Sequence, residues 1–174
     1  ALEADLVVVN HHLLCADLAV KDGSYGAVIP AYDTLVLDEA HLIEDVATQY
    51  FGVQVSSHRV EELARDVERE LKAASLDARD VLAEVEGVRL RAERFFRQLG
   101  RTQPVRLEPG WMTPRIAEEA LGLVQRLEGL RTSLLAVPDR PEPIAGLAGR
   151  ALALTGELAF VLKGDDDGHV YFVE

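Results

Sequence analysis

Residues 113–134 read Thr113-Pro114-Arg115-Ile116-Ala117-Glu118-Glu119-Ala120-Leu121-Gly122-Leu123-Val124-Gln125-Arg126-Leu127-Glu128-Gly129-Leu130-Arg131-Thr132-Ser133-Leu134. Ile116, Ala120, Leu123, Leu127, Leu130 and Leu134 recur at alternating spacings of four and three, the signature of one buried stripe on an α-helix. Thr113 can cap the first turn, and Pro114 suits the first helical position, where its missing N–H costs nothing. Pro138 stops the pattern.

The same period runs on both sides of this stretch. Upstream, 57–74 sets Val60, Leu63, Val67, Leu71 and Ala74 on one face, with Ser57 as the expected cap. A second helix from Asp77 carries Val81, Val85, Val88, Ala92, Phe95 and Leu99, and Gly100 is placed to end it. Downstream, a helix starting near Pro141 and Pro143 carries Ile144, Leu147, Ala151, Leu154, Leu158 and Val161, closing at Gly164. Stripes with a seven-residue repeat predict long helices packed nearly antiparallel at shallow angles. A helix of about 23 residues reaches roughly 35 Å. The expected fold is therefore mainly α with a small β component: an elongated antiparallel helical bundle inserted into a partial α/β stub.

The two ends of the chain read differently. Asp5-Leu6-Val7-Val8-Val9-Asn10 is a continuous apolar run fit for a strand covered on both faces. Residues 11–19 can form a short helix, and 21–26 carry the glycines and polar residues of a loop. A strand at 35–37 and a helix at 42–48 follow. Phe51, Val53 and Val55 alternate as in a strand over 50–55, and 169–174 is β-rich after an aspartate-rich turn at 165–168. The expected pairing joins these last two strands. The domain reading is 1–49 as sheet-domain stub, 50–164 as helical insertion, and 165–174 as turn and returning strand.

At 174 residues and 48% apolar content, the chain can build one good core, or one domain with a fragment of another. Its one cysteine, Cys15, excludes an internal disulfide. No signal peptide opens the chain, and no run approaches the roughly 20 apolar residues of a membrane span, so a soluble cytoplasmic protein without membrane contact is expected. A net charge of −12 argues against broad attraction to nucleic acid, so a DNA contact must use a local patch.

The chemistry concentrates in Thr34-Leu35-Val36-Leu37-Asp38-Glu39-Ala40-His41, an apolar run that ends in adjacent carboxylates. Open α/β sheets bind ligands at the carboxyl ends of such strands. There one acid can hold the water shell of Mg²⁺ on a nucleoside triphosphate while the next orients the attacking water. The glycine-rich phosphate loop that would hold the triphosphate has no match, and none of Lys21, Lys72 and Lys163 lies in one. The chain opens on Ala1 rather than methionine, and a segment of a longer motor protein is expected.

Two stretches carry a family resemblance: residues 4–14, Ala-Asp-Leu-Val-Val-Val-Asn-His-His-Leu-Leu, and 35–47, Leu-Val-Leu-Asp-Glu-Ala-His-Leu-Ile-Glu-Asp-Val-Ala. In this order, with the closing His169-Val170-Tyr171-Phe172-Val173-Glu174, the chain resembles the iron–sulphur DNA helicases of superfamily 2, in the bacterial DinG branch related to XPD. The resemblance implies an ATP-dependent helicase of 5′ to 3′ direction, with Asp38 toward Mg²⁺, Glu39 activating water and His41 coupling nucleotide state to other motifs. It implies that the helices form an arch domain shaping the single-stranded DNA channel, with the remaining helicase domains as partners. It also implies an iron–sulphur cluster, whose four cysteines fall before Ala1; Cys15 matches none of them.

Further candidates stand outside those motifs. Arg89, Arg91, Arg94, Arg97, Arg101 and Arg106 lie within eighteen residues that contain Glu93 as their single acid. Arg94, Arg97 and Arg101 share a helical face where they can contact phosphates, and Phe96 can stack a base beside them. The competing reading is a solvated face with pairs such as Glu93 with Arg97. Trp111 reads as a loop anchor. His11, His12 and Cys15 lack a fourth ligand for a metal site. Asp165, Asp167 and Gly168 fit a solvated turn better than a calcium loop, whose distal glutamate is missing. The main alternative function is a non-enzymatic helical module whose acidic surface docks a protein partner; a nuclease-linked helicase is the other.

Overall fold

The computed structural model describes residues 4–21, 28–76, 78–100, 105–108, 110–166 and 168–173. Asp77, Arg101, Asp167 and the loop residues 22–26, all invoked above, lie outside them. The chain divides into two compact units, Ala1–Val53 and Gln54–Glu174. It is mainly α with a small β component.

The first unit pairs two helices. Asn10 opens α1 (His11–Lys21) by accepting the Leu13 N–H on its side chain at 2.8 Å. α2 (Ile43–Phe51) packs on α1, with His12 set edge-on to Tyr50, ring centres 6.0 Å apart. Leu14, Cys15 and Asp17 are buried. Asp17 accepts the N–H groups of Val28 and Ile29 on one oxygen, at 2.6 and 2.8 Å, and so tethers residues 28–29 to α1.

The strands expected at 5–10 and 35–37 do not form. Both stretches are irregular and exposed: Leu6 is 81%, Val8 88% and Val36 85% accessible. A strand is stabilised by the ladder it joins, and neither stretch has a ladder partner among the described residues. The expected strand at 50–55 is replaced by the end of α2 and four irregular residues. Ile43, Val46, Ala47 and Tyr50 follow helical spacing, and that longer pattern overrides the short alternation.

The second unit is a ring of four helices: α3 (Ser57–Ala73), α4 (Arg79–Leu99), α5 (Pro114–Leu135) and α6 (Glu142–Lys163). Each packs on two others, α3 on α4, α4 on α5, α5 on α6, and α6 back on α3. The core is the set of stripes read from the sequence, with Val60, Leu63, Val67, Val85, Val88, Leu123, Leu127, Leu130, Leu134, Ile144, Ala151 and Leu158 all buried. α6 is long and apolar enough to cross a membrane by length and composition; Ile144, Leu147, Ala151, Leu154 and Leu158 are buried in this core, while Leu152 is exposed.

Caps refine the helix bounds. Ser56, not Ser57, caps α3, its hydroxyl accepting the Arg59 N–H at 3.2 Å. Ala74 is exposed because α3 ends before it. Ser75 turns left-handed (φ 53°), donating its N–H to the Lys72 carbonyl, and Leu76 reaches back to Leu71 at 3.0 Å. Thr113 caps α5 as expected, accepting the Ile116 N–H at 3.3 Å, and Gly164 (φ 58°) ends α6.

Among the described residues the β component is one antiparallel pair, β1 (Val105–Arg106) with β2 (Phe172–Val173), in register Val105 with Val173 and Arg106 with Phe172. The expected partner of the final strand, 50–55, is thus replaced by the α4–α5 connection. The turn after Gly164 folds the chain back across the bundle end, where Leu107 N–H reaches Tyr171 O at 2.9 Å and Phe160 packs on His169 and Tyr171.

Candidate functional site

The candidate carboxylates stand where the extended stretch 34–37 turns into a 3-10 turn, Ala40–Leu42, that leads into α2. Asp38 accepts the Glu39 N–H on Oδ1 at 3.0 Å. Glu39 adopts the left-handed conformation (φ 49°, ψ 45°), which costs a non-glycine residue about 1–2 kcal/mol. Its carbonyl accepts the Leu42 N–H at 2.9 Å, so the turn holds the residue there. The His41 Nδ1 stands 3.4 Å from Glu39 Oε2, and both side chains are exposed. The result is two neighbouring carboxylates and an imidazole presented to solvent at one bend.

This donor set fits Mg²⁺ only in part. Mg²⁺ is ordinarily held by one or two carboxylates together with waters and phosphate oxygens. Asp38 can supply one carboxylate through water, but no group of three His, Cys, Asp or Glu side chains that could hold a metal occurs among the described residues. Cys15 is the single cysteine of the chain and is buried in the first unit, so the four-cysteine cluster does not fit these residues.

The arginine run is spent largely on helix contacts. Arg89 bridges three carboxylates, Glu68 at 2.5 Å, Glu61 at 3.0 Å and Glu86 at 3.1 Å, and ties α4 to α3. Its hydrogen bonds hold the Glu61 and Glu68 carboxyls below their ordinary range and the guanidinium above its own. Arg91 pairs with Glu119 of α5 at 3.0 Å. Arg97 pairs with Glu93 on its own helix. Arg94 is exposed, with no acid paired to it among the described residues. Phe96 is half-buried, packed on the core and edge-on to Phe95 with ring centres 5.1 Å apart. Arg101 lies outside the described residues.

At the bundle end an open cavity of about 360 Å³ is lined by Arg106, Trp111, Asp165, Asp166, His169 and Tyr171. Its charges are mixed. Asp166 caps its own turn by accepting the Gly168 N–H at 2.8 Å, and with His169 nearby its carboxyl is held low. Sequence reasoning missed two features: the buried Asp17, and the pairing of arginines with acids on facing helices. Part of the second, the α4–α5 pairs, was visible as Glu-x6-Arg spacings at Glu84/Arg91 and Glu119/Arg126.

No protein-family model matches the chain, and no solved structure matches it. Three curated proteins do. The ATP-dependent DNA helicase YoaA of Escherichia coli (strain K12) is 38% identical over 111 residues, covering 64% of this chain and 16% of the helicase. The ATP-dependent DNA helicase YoaA of Haemophilus influenzae (strain ATCC 51907 / DSM 11121 / KW20 / Rd) is 49% identical over 67 residues, 38% of this chain and 10% of its own length. The 3'-5' exonuclease DinG of Bacillus subtilis (strain 168) is 38% identical over 52 residues, 30% of this chain and 5% of its own. The chain thus spans at most 16% of the length of these relatives. In sequence the chain is similar to one segment of the two YoaA DNA helicases and of the exonuclease DinG, in accord with the resemblance to the DinG branch.

Proposed function

We propose that this chain is the part of an ATP-dependent DNA helicase that carries its acidic nucleotide motif and an arch-like helical insertion, residues 50–164. Asp38 acts toward Mg²⁺ through water, Glu39 orients the water that attacks the terminal phosphate, and His41 couples that site to neighbouring motifs. The observation that carries this reading is the bend at Asp38–Glu39. A left-handed, non-glycine glutamate presents its carboxylate at the end of an apolar stretch, and local strain of that kind clusters at functional sites as well as at helix ends such as Ser75. The phosphate loop and second motor domain belong to the remaining domains of the protein, and unwinding runs 5′ to 3′. The helical unit borders the single-stranded DNA channel, with Arg94, Arg97, Arg101 and Phe96 as its candidate contacts.

The test is DNA-stimulated ATP hydrolysis by the full-length protein. Glu39→Gln should lower turnover by about 10²-fold or more while ATP still binds, because the substitution removes the water-orienting carboxylate and little else. Turnover within about threefold of the parent would remove Glu39 from the mechanism. For the channel reading, Arg94→Gln should weaken single-stranded DNA binding evenly across sequences and reduce its log–log salt slope by about one.

A further inference from the structure

Four ion pairs of the helical unit follow a repeated arrangement. On α4, Glu84 and Arg91 stand seven residues apart; on α5, Glu119 and Arg126 do the same. The helices run antiparallel, so each acid meets the other helix's arginine: Arg91 reaches Glu119 at 3.0 Å and Arg126 reaches Glu84 at 3.3 Å. A glycine follows each acid by three residues, and the facing arginine lies over it. A Cβ on Gly87 would stand 2.9 Å from Arg126 Cδ, and one on Gly122 would stand 3.0 Å from Arg91 Nε. Both helices therefore carry Glu-x-x-Gly-x-x-x-Arg and clasp one another about a local twofold axis.

α3 and α6 carry the opposite order. Arg59 precedes Asp66 by seven residues, and Arg150 precedes Glu157 by seven. Arg59 reaches Glu157 at 2.6 Å, and Arg150 pairs with Asp66. A stretch reading acid-then-arginine is complementary, antiparallel, to another of the same order. Against a stretch of reversed order it brings acid toward acid and arginine toward arginine wherever the two align.

We infer that these two opposed charge orders select the hand of the four-helix ring. A ring of four antiparallel helices can be wound in either sense around the same core stripes. Reversing the sense keeps each helix's neighbours but exchanges its two flanks. The clasp face of α4 would then turn from α5 to α3, and that of α5 from α4 to α6, so that opposed orders meet at both interfaces. The position of the core stripes alone does not make this choice, because they point inward in either winding. Exposed ion pairs add little stability singly, yet like-charge contacts at an interface discriminate strongly between alternatives.

Two variants of the full 174-residue chain with equal numbers of swapped charges decide the matter. The first reverses α4 and α5 (Glu84→Arg, Arg91→Glu, Glu119→Arg, Arg126→Glu), so that all four helices read arginine-then-acid and orders match at the native interfaces as well as in the opposite winding. The second reverses α3 and α5 (Arg59→Asp, Asp66→Arg, Glu119→Arg, Arg126→Glu) and matches orders only in the opposite winding. Net charge is the same in both. The first should melt within about 2 °C of the parent, and the second at least about 5 °C lower or not fold natively. Equal melting temperatures for the two variants, or a first variant that fails to fold while the second folds, would overturn the inference. Neutralising α4 alone (Glu84→Gln, Arg91→Gln) should lower Tm less than reversing it alone; equal losses also count against it.

Discussion

Asp17 shows how much one side chain can organise and how little of that a sequence announces. It is fully buried on α1, and its carboxylate receives the backbone N–H groups of Val28 and Ile29. Replacing it with alanine strands those donors, and a buried unsatisfied group costs about 1–3 kcal/mol. Asp17→Ala should therefore lower the urea midpoint of the first unit, and Asp17→Asn, which keeps an acceptor oxygen, should lower it less. Equal losses would point to the volume of the side chain rather than its hydrogen bonds. Nothing in the spacing of residues 11–21 marks this aspartate, because its partners at 28 and 29 obey no helical or strand period. Asp38 and Glu39 are legible for the opposite reason: they close an apolar run, and the chemistry of adjacent carboxylates is local. Arg89 is intermediate. Its basic neighbourhood is plain in the sequence, but that it spends its donors on Glu61, Glu68 and Glu86 depends on how α3 lies beside α4.

At the scale of elements, the four long helices were readable because a 3.6-residue period is written within each segment. Strands were not, since a strand needs a partner whose position the segment does not encode. The pair seen among the described residues, Val105–Arg106 with Phe172–Val173, covers two residues on each side and leaves no alternation to read. Helix ends lie between these cases. Ser56 and Ser57 are equally good caps on composition, and the extended backbone of Ser56 decides. Ser75 occupies a left-handed position that favours glycine, so Ser75→Gly should stabilise the second unit by about 0.5–1 kcal/mol in chemical denaturation. Mid-helix glycines divide by what surrounds them. A Cβ at Gly149 of α6 meets nothing within 4 Å, whereas one at Gly87 displaces Arg126. Gly149→Ala should add about 0.5–1 kcal/mol of helix stability, and Gly87→Ala should forfeit that gain. Equal gains at both positions would mean that the arginine moves aside freely.

For the chain as a whole, acid sensitivity follows from its ion pairs. Hydrogen bonds from Arg89 lower the Glu61 and Glu68 carboxyls, and those from Arg150 and Arg69 lower Asp66. A carboxyl whose folded value lies below its unfolded one binds protons more readily when unfolded, so stability rises with pH across that interval. The contribution is complete above the ordinary carboxylate range, near pH 4.5 and higher, and fades as pH falls through the depressed folded values. Melting temperature should accordingly drop between about pH 5 and pH 2, and Arg89→Gln should flatten that drop while lowering stability at neutral pH by about 1–2 kcal/mol. A pH profile unchanged by Arg89→Gln would assign the acid loss to other carboxylates.

The pairing of Arg59 with Glu157 has one more implication. It sets the first turn of α3 beside the closing turns of α6, so the ring of helices begins and ends at one place. Among the described residues, its core cluster is drawn from Gln54–Glu174 alone. Such a unit tolerates circular permutation. With residues 55 and 165 joined by a short linker and new termini cut at the α3–α4 connection near Ser75, the same helices should close the same ring.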